Sequence, residues 1–242
     1  MQKLLARLPI SIQLNEHPRW VLGSLGPGTK LPTLGHTSYE KLKEAYATAS
    51  DGLIAGGSDA LLIETTQDLL QAKAAVNGAR DAISRSKKDI VLIAQVTVET
   101  TGTMLMGSEI GAALNALEPI GIDLIGLNCA TGPAEMSEHL RVLSKGASVG
   151  ISVMPNAGLP VLSDGGAHYP LAPVELATAL KTFVKDYKVN LVGGCCGTTP
   201  AHMKEVVLAL RDTKISGREV IRENGASSLY QFAPFRQQNT YC

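Results

Sequence analysis

Six short runs rich in β-branched residues alternate with six longer segments of helical period, and this alternation constrains the fold more than any other feature of the chain. The runs are Trp20–Leu25, Ala60–Glu64, Ile90–Val98, Asp123–Asn128, Val149–Met154 and Asn190–Gly194. Helical periodicity follows each of them, over 38–56, 67–84, 108–118, 134–145, 173–187 and 200–211. A helix between two strands carries the chain back across one face, so the strands pair in parallel, and the pattern predicts an α/β sheet covered by helices. Helix starts carry their own chemistry. Thr199-Pro200 offers a side-chain acceptor and then a residue of fixed φ, with Gly132-Pro133 and Ala172-Pro173 as related starts. With 242 residues, 45% of them hydrophobic, the chain can bury such a core as one domain.

Composition narrows the function. Lys plus Arg equals Asp plus Glu at 22 each, so no net field recruits nucleic acid or an anionic membrane. The longest apolar stretches, around Ile90–Val98 and Ala201–Leu210, fall far short of the roughly 20 residues of a membrane span. Met1–Leu14 carries Lys3, Arg7 and a few leucines, but Pro9 and polar residues interrupt any signal-peptide core. Four irregularly spaced cysteines do not form a secreted disulfide framework, and a reducing cytoplasm is the expected compartment.

In parallel α/β folds the loops leaving the C-terminal strand ends gather on one face, where active sites are built. Two cysteine-bearing segments fall there. One reads Gly193-Gly194-Cys195-Cys196-Gly197-Thr198-Thr199-Pro200 and the other Leu127-Asn128-Cys129-Ala130-Thr131-Gly132-Pro133. Three thiols from two strand ends suggest a metal with three protein ligands and one open position, as in a catalytic zinc site. Adjacent cysteines in a regular strand point to opposite faces, so Cys195 and Cys196 can share an ion only where the strand breaks down. The glycines at 193, 194 and 197 permit that. Against this stands the packing role that most free cysteines have. Cys242 lies on a polar tail and is not counted as a ligand. Glu64 and Asn156 also lie at strand ends, and residues 155–172 form a long connection of the kind that carries function.

The two cysteine segments, together with Met154-Pro155-Asn156-Ala157-Gly158, closely resemble the homocysteine-binding zinc domain of the homocysteine S-methyltransferase superfamily. Two more stretches, Gly23-Ser24-Leu25-Gly26-Pro27-Gly28-Thr29-Lys30 and Val98-Glu99-Thr100-Thr101-Gly102-Thr103-Met104, resemble its cobalamin-dependent methionine synthase branch. The similarity runs from about residue 18 to residue 212. It implies a (β/α)8 TIM barrel whose Zn2+ is held by Cys129, Cys195 and Cys196, with homocysteine in the open position. Asn156 is then expected to hold that position when substrate is absent, and Glu64 to bind the substrate's amino group. Asn128, beside a ligand, is a further substrate-binding candidate. The implied reaction is methyl transfer to homocysteine, giving methionine. Cobalamin, as methylcobalamin, and methyltetrahydrofolate are implied partners, bound by other domains of a longer enzyme.

Departures from that family shape the expected architecture. Trp20–Leu25 matches the third barrel strand, so six consecutive βα units are expected and the first two strands are missing, along with an Asp-Gly-Ala-Met-Gly-Thr type segment. Residues 1–17 are expected to be the remnant of a preceding barrel helix and 18–214 the partial homocysteine-binding barrel. Residues 215–242 resemble a connector toward a folate-binding domain. An incomplete barrel leaves edges unpaired, so an inactive fragment is among the expectations. Two alternatives stand beside this reading. One is a stand-alone homocysteine S-methyltransferase using S-methylmethionine or a betaine-type donor. The other is a non-catalytic zinc-binding or nucleotide-binding α/β module, although Gly23–Gly28 has its glycines in the wrong order for a dinucleotide fingerprint.

Overall fold

A computed structural model describes residues 12–14, 17–163, 166–214, 216–221 and 223–235. The described strands are β1 (Ile12–Leu14), β2 (His17–Arg19), β3 (Leu22–Leu25), β4 (Ala60–Thr66), β5 (Val91–Val96), β6 (Leu124–Asn128), β7 (Gly150–Met154), β8 (Val161–Ser163), β9 (Gly166–His168), β10 (Leu191–Val192), β11 (Gly225–Ser227) and β12 (Phe232–Pro234). The α-helices are α1 (Tyr39–Ala55), α2 (Leu69–Ser86), α3 (Ile110–Leu117), α4 (Pro133–Gly146), α5 (Pro173–Asp186) and α6 (Pro200–Leu210).

The main sheet has the order β10-β7-β6-β5-β4-β3, all parallel, so each strand lies beside its neighbour in the strand-helix repeat. Right-handed crossovers that always step in one direction put every helix on the same face. Burial follows that geometry. Leu61, Ile63, Leu92, Ala94, Ile125, Leu127, Ile151 and Val153 join the helices in the large core, whereas Ala60, Leu62, Val91, Ile93 and Leu124 form a smaller cluster on the inner face. These are six consecutive βα units of a partial TIM barrel. Among the described residues, β3 and β10 are the edges of the sheet.

Polar side chains set the register at the lower rim. Asp59, Asp123 and Asn190 each stand one residue before a strand and accept from the backbone N–H of Val21, Leu92 and Ile151, at 2.7, 2.9 and 2.9 Å. Each satisfies a donor that a staggered parallel edge would leave unpaired. On the outer layer, α1 and α2 approach closely at Gly78, where a Cβ would lie 2.3 Å from the Lys43 carbonyl oxygen. Only glycine permits that contact.

Several elements differ from the sequence expectation. Strand β10 is two residues long because the chain leaves the sheet at Gly193, and β4 runs on to Thr66 through an irregularity between Ile63 and Thr66. Pro119 ends α3 early, leaving a short 3₁₀ turn over Glu118–Ile120. Within 1–17, read from the sequence as the remnant of a helix, the described residues 12–14 are extended and pair antiparallel with 17–19; the other residues before His17 lie outside the described ones. Ile12 and Leu14 flank the polar Gln13, which is a strand period. Thr199 was expected to cap α6 with its own side chain. Instead His202 Nδ1 reaches back to the Thr199 N–H at 3.2 Å, as Glu135 and Glu175 do for Gly132 and Ala172. With proline at N1, the residue at N3 is free to turn back to the cap.

The described residues 216–221 and 223–235 lie across α3 and α4. Arg218 donates to the carbonyls of Ala147 and Val149 at 2.5 and 2.6 Å, Asn115 donates to Ser227 at 2.7 Å, and the Glu109 N–H donates to the Tyr230 carbonyl at 2.8 Å. A cavity of about 560 Å³ lies beneath it, bordered by Leu114, Val142, Ile221 and Phe232, and no thiol lines it. No described helix is long and apolar enough to cross a membrane.

Candidate metal centre

The sulfurs of Cys129, Cys195 and Cys196 all lie within 4.8 Å of one another. Cys129 is 3.8 Å from Cys196, and Cys195 is 4.0 Å from Cys196. Zinc–sulfur bonds of about 2.3 Å in a tetrahedron require sulfurs roughly 3.8 Å apart, and the two pairs that include Cys196 lie close to that value. Cys129 and Cys195 are partly buried and Cys196 is exposed, which leaves one side open to a fourth ligand.

Loop geometry brings the thiols together. Past the end of β6, Cys129 and Ala130 both take left-handed conformations, with φ of 61° and 58°. Non-glycine residues rarely do so, and the strain, of order 1–3 kcal/mol each, must be held by surrounding bonds. Those bonds are present: the Cys129 N–H donates to the Met154 carbonyl at 3.2 Å, and the Thr131 N–H to the Cys129 carbonyl at 2.7 Å. Past β10, the Cys195 N–H donates to the Pro155 carbonyl at 2.8 Å, and the Cys196 carbonyl accepts from the Ala157 N–H at 2.9 Å. The turn closes at Gly197, whose φ of 78° suits glycine and whose missing Cβ makes room for Tyr169.

Asn156 is buried, and its side-chain oxygen accepts from the Cys196 N–H at 3.0 Å. In this structure it shapes the cysteine turn. Glu64 is held by Ser24, whose hydroxyl donates to Oε1. It does not cap the next helix, a task taken by Asp68, which accepts from Leu70 at 2.8 Å. Asn128 is fully buried, with Nδ2 3.5 Å from Glu64 Oε2 and 3.9 Å from the Cys195 sulfur. All six residues singled out in the sequence therefore lie around one mouth at the C-terminal rim of the sheet.

The thiols are electrostatically linked. The Cys129 thiol is pushed down to about 6, chiefly because the Cys195 thiol donates to it when it is ionised; burial opposes this shift. Cys195 is pushed up by the same bond, by burial and by the neighbouring sulfur charges. The first proton therefore leaves the cluster easily and the next is held. The Tyr169 hydroxyl is raised by desolvation and by its hydrogen bond to Cys196.

Sequence reading missed some of the participants. Tyr169 sits in the long 155–172 connection without a motif of its own. His202, whose Nε2 lies 2.9 Å from the Leu171 carbonyl, ties that connection to α6. Thr65 has a φ of 57°, which a β-branched side chain gave no reason to expect. Asp164, inside the same connection, and Cys242 lie outside the described residues.

A singly wound parallel sheet with a three-thiol cluster at its C-terminal rim defines a class of zinc-compatible α/β barrel proteins. The sequence model of the homocysteine S-methyltransferase family matches residues 6–210, and the chain belongs to that family. Methionine synthase of Mycobacterium tuberculosis is 61% identical over 222 residues, and that of Mycobacterium leprae is 59% identical over 228. Each match covers 92% of this chain but only 19% of the relative. Among solved structures, the apo form of the homocysteine methyltransferase MmuM from Escherichia coli superposes with a TM-score of 0.62 at 20% identity, covering 78% of this chain and 63% of that one. Its metallated form gives 0.57 at the same identity, over 77% and 60%. These structures share the fold.

Proposed function

We propose that this chain is the homocysteine-activating module of a cobalamin-dependent methionine synthase, a methyltransferase that converts homocysteine to methionine at zinc held by Cys129, Cys195 and Cys196. The observation that carries this reading is the spacing of the three sulfurs, 3.8 and 4.0 Å for the two pairs that include Cys196, with Asn128 Nδ2 facing both the Cys195 sulfur and the Glu64 carboxylate. Three soft thiolates suit zinc, and the exposed side at Cys196 leaves room for a substrate sulfur.

Bound zinc would supply the Lewis acidity that keeps a substrate thiol ionised near neutral pH. The residues of the chain do the rest. Three thiolates donate more charge than neutral imidazoles would, so a sulfur held among them stays nucleophilic. Glu64, steadied by Ser24, receives the substrate's ammonium group. Asn156 holds the Cys196 turn, and with it the open position. The substrate thiol releases its proton to solvent, and its sulfur lone pair forms the new bond to the methyl carbon as the donor departs with the bonding pair. The product thioether is neutral and a weak ligand, which favours release.

The relatives are about five times longer than this chain, so the methyl donor is assigned to other parts of a longer protein. Methylcobalamin and methyltetrahydrofolate are the partners this reading implies. On the same reading, residues 18–214 form the substrate module and 215–242 the connector, and a reducing cytoplasm keeps the thiols available.

Metal analysis of the purified chain and of Cys196→Ala, with homocysteine titrated into both, tests the proposal. The expected result is about one zinc per chain, largely lost in the variant, with a homocysteine response only in the loaded protein. Equal zinc in both proteins would overturn the shared-ligand assignment.

A further inference from the structure

Strand β4 contains one more residue than its partner at the point where it reaches the site. Ile63 pairs with Ala94 and Thr66 with Val96, so three steps along β4 match two along β5. The extra residue makes a bulge at Glu64 and Thr65, a device that re-aims side chains. Thr65 lies in the left-handed region at φ 57°, where a β-branched residue is strained and needs external support.

That support comes from one side chain on another strand. Asn128 Oδ1 accepts from the Thr65 N–H at 2.7 Å, and Nδ2 donates to Thr65 Oγ1, also at 2.7 Å. The same Nδ2 faces Glu64 Oε2 and the Cys195 sulfur. The Asn128 backbone is fixed in turn, its carbonyl accepting from Thr97 Oγ1 at 3.0 Å. With both ends of its carboxamide engaged and no exposed surface, Asn128 has little left to offer a substrate.

We propose that Asn128 is a positioning residue that locks the Glu64–Thr65 bulge in place beside the thiol cluster and so favours thiols that also carry an amino group. This replaces a substrate-contacting role for Asn128 and rests on the homocysteine reading above. Selection then depends on two anchors, a metal-bound sulfur and a carboxylate, and Asn128 is the only side chain hydrogen-bonded to the β4 bulge and also facing a cysteine sulfur among the described residues.

The test uses the Co2+-substituted chain, read through its thiolate–cobalt absorption. Homocysteine, 3-aminopropane-1-thiol and propane-1-thiol are titrated into wild type, Asn128→Ala, Glu64→Gln and the double variant. Wild type should bind the aminothiol roughly 10- to 100-fold more tightly than the plain thiol. Asn128→Ala should abolish most of that preference with cobalt content and propane-1-thiol affinity unchanged, and the double variant should be no worse than Glu64→Gln. Thr65→Gly, which relieves the left-handed strain and removes one of the two bonds, should shift the preference in the same direction by a smaller factor, and it serves if Asn128→Ala does not fold. Equal weakening for both thiols, an intact preference, or additive losses in the double variant would overturn the inference alone. Absence of any homocysteine response in cobalt-loaded wild type would overturn the substrate reading, and this inference with it.

Discussion

The sulfurs of Cys129 and Cys196 lie 3.8 Å apart although 67 residues separate them in the chain. Each is carried on a loop that leaves the C-terminal end of a parallel strand, and the β6–β7–β10 pairing brings those loops together. The first prediction follows from that arrangement. Cys129→Ser and Cys195→Ser should each lower bound zinc from about one ion per chain to a small fraction, because two thiolates and a poor oxygen donor do not complete a zinc site. Metal analysis after gel filtration checks this, with circular dichroism to show that the fold persists.

Thiol reactivity should report the hydrogen bond from Cys195. Cys129 releases its proton at a pH of about 6, below the ordinary thiol value, so its reactive thiolate is present above that pH and lost below it. Alkylation of the chelator-treated protein should therefore show one fast cysteine whose rate rises with a midpoint near pH 6. Replacing Cys195 with alanine removes the donor and should move that midpoint upward. Rates measured against pH with iodoacetamide, and peptide mapping of the first site modified, decide it.

Two glycine substitutions should separate scaffold from site. In Gly78→Ala the new methyl meets the Lys43 carbonyl between α1 and α2, and overpacking there should cost roughly 1–3 kcal/mol while zinc content stays unchanged. In Gly197→Ala the methyl meets Tyr169 at a backbone φ of 78°, so zinc content should fall together with stability. Urea denaturation beside metal analysis tests both.

Arg218 anchors the C-terminal segment by two charge-assisted bonds to the carbonyls of Ala147 and Val149. Arg218→Ala should cost roughly 1.5–3 kcal/mol and speed proteolytic cleavage within 216–235, leaving zinc binding unaltered. Limited proteolysis followed by mass spectrometry gives the readout. Protection equal to that of wild type would show that the segment is held by its other contacts.

Much of this protein was legible in its sequence because the determining signals are local. A strand period followed by a helical period, six times over, is enough to give a parallel sheet covered by helices, whereas its winding in one direction was implied only by the family resemblance and is seen in the strand order. The cysteine segments fall at strand ends for the same reason. Proline at N1 marked the starts of α4, α5 and α6 correctly, although His202 supplies the cap of α6, since Nδ1 reaches the Thr199 N–H only once the ring is fixed against Leu171.

What the tertiary structure alone decided is distance. Nothing local to Thr65 predicts a left-handed β-branched residue, because the bonds that stabilise it come from Asn128, 63 positions away. Nor does any local rule place Tyr169 against Cys196. Periodicity and turn chemistry determine which residues reach the rim of the sheet. The separations among Glu64, Asn128 and the three sulfurs depend on strand register, the β4 bulge and buried side-chain bonds, which exist only when distant segments pack together.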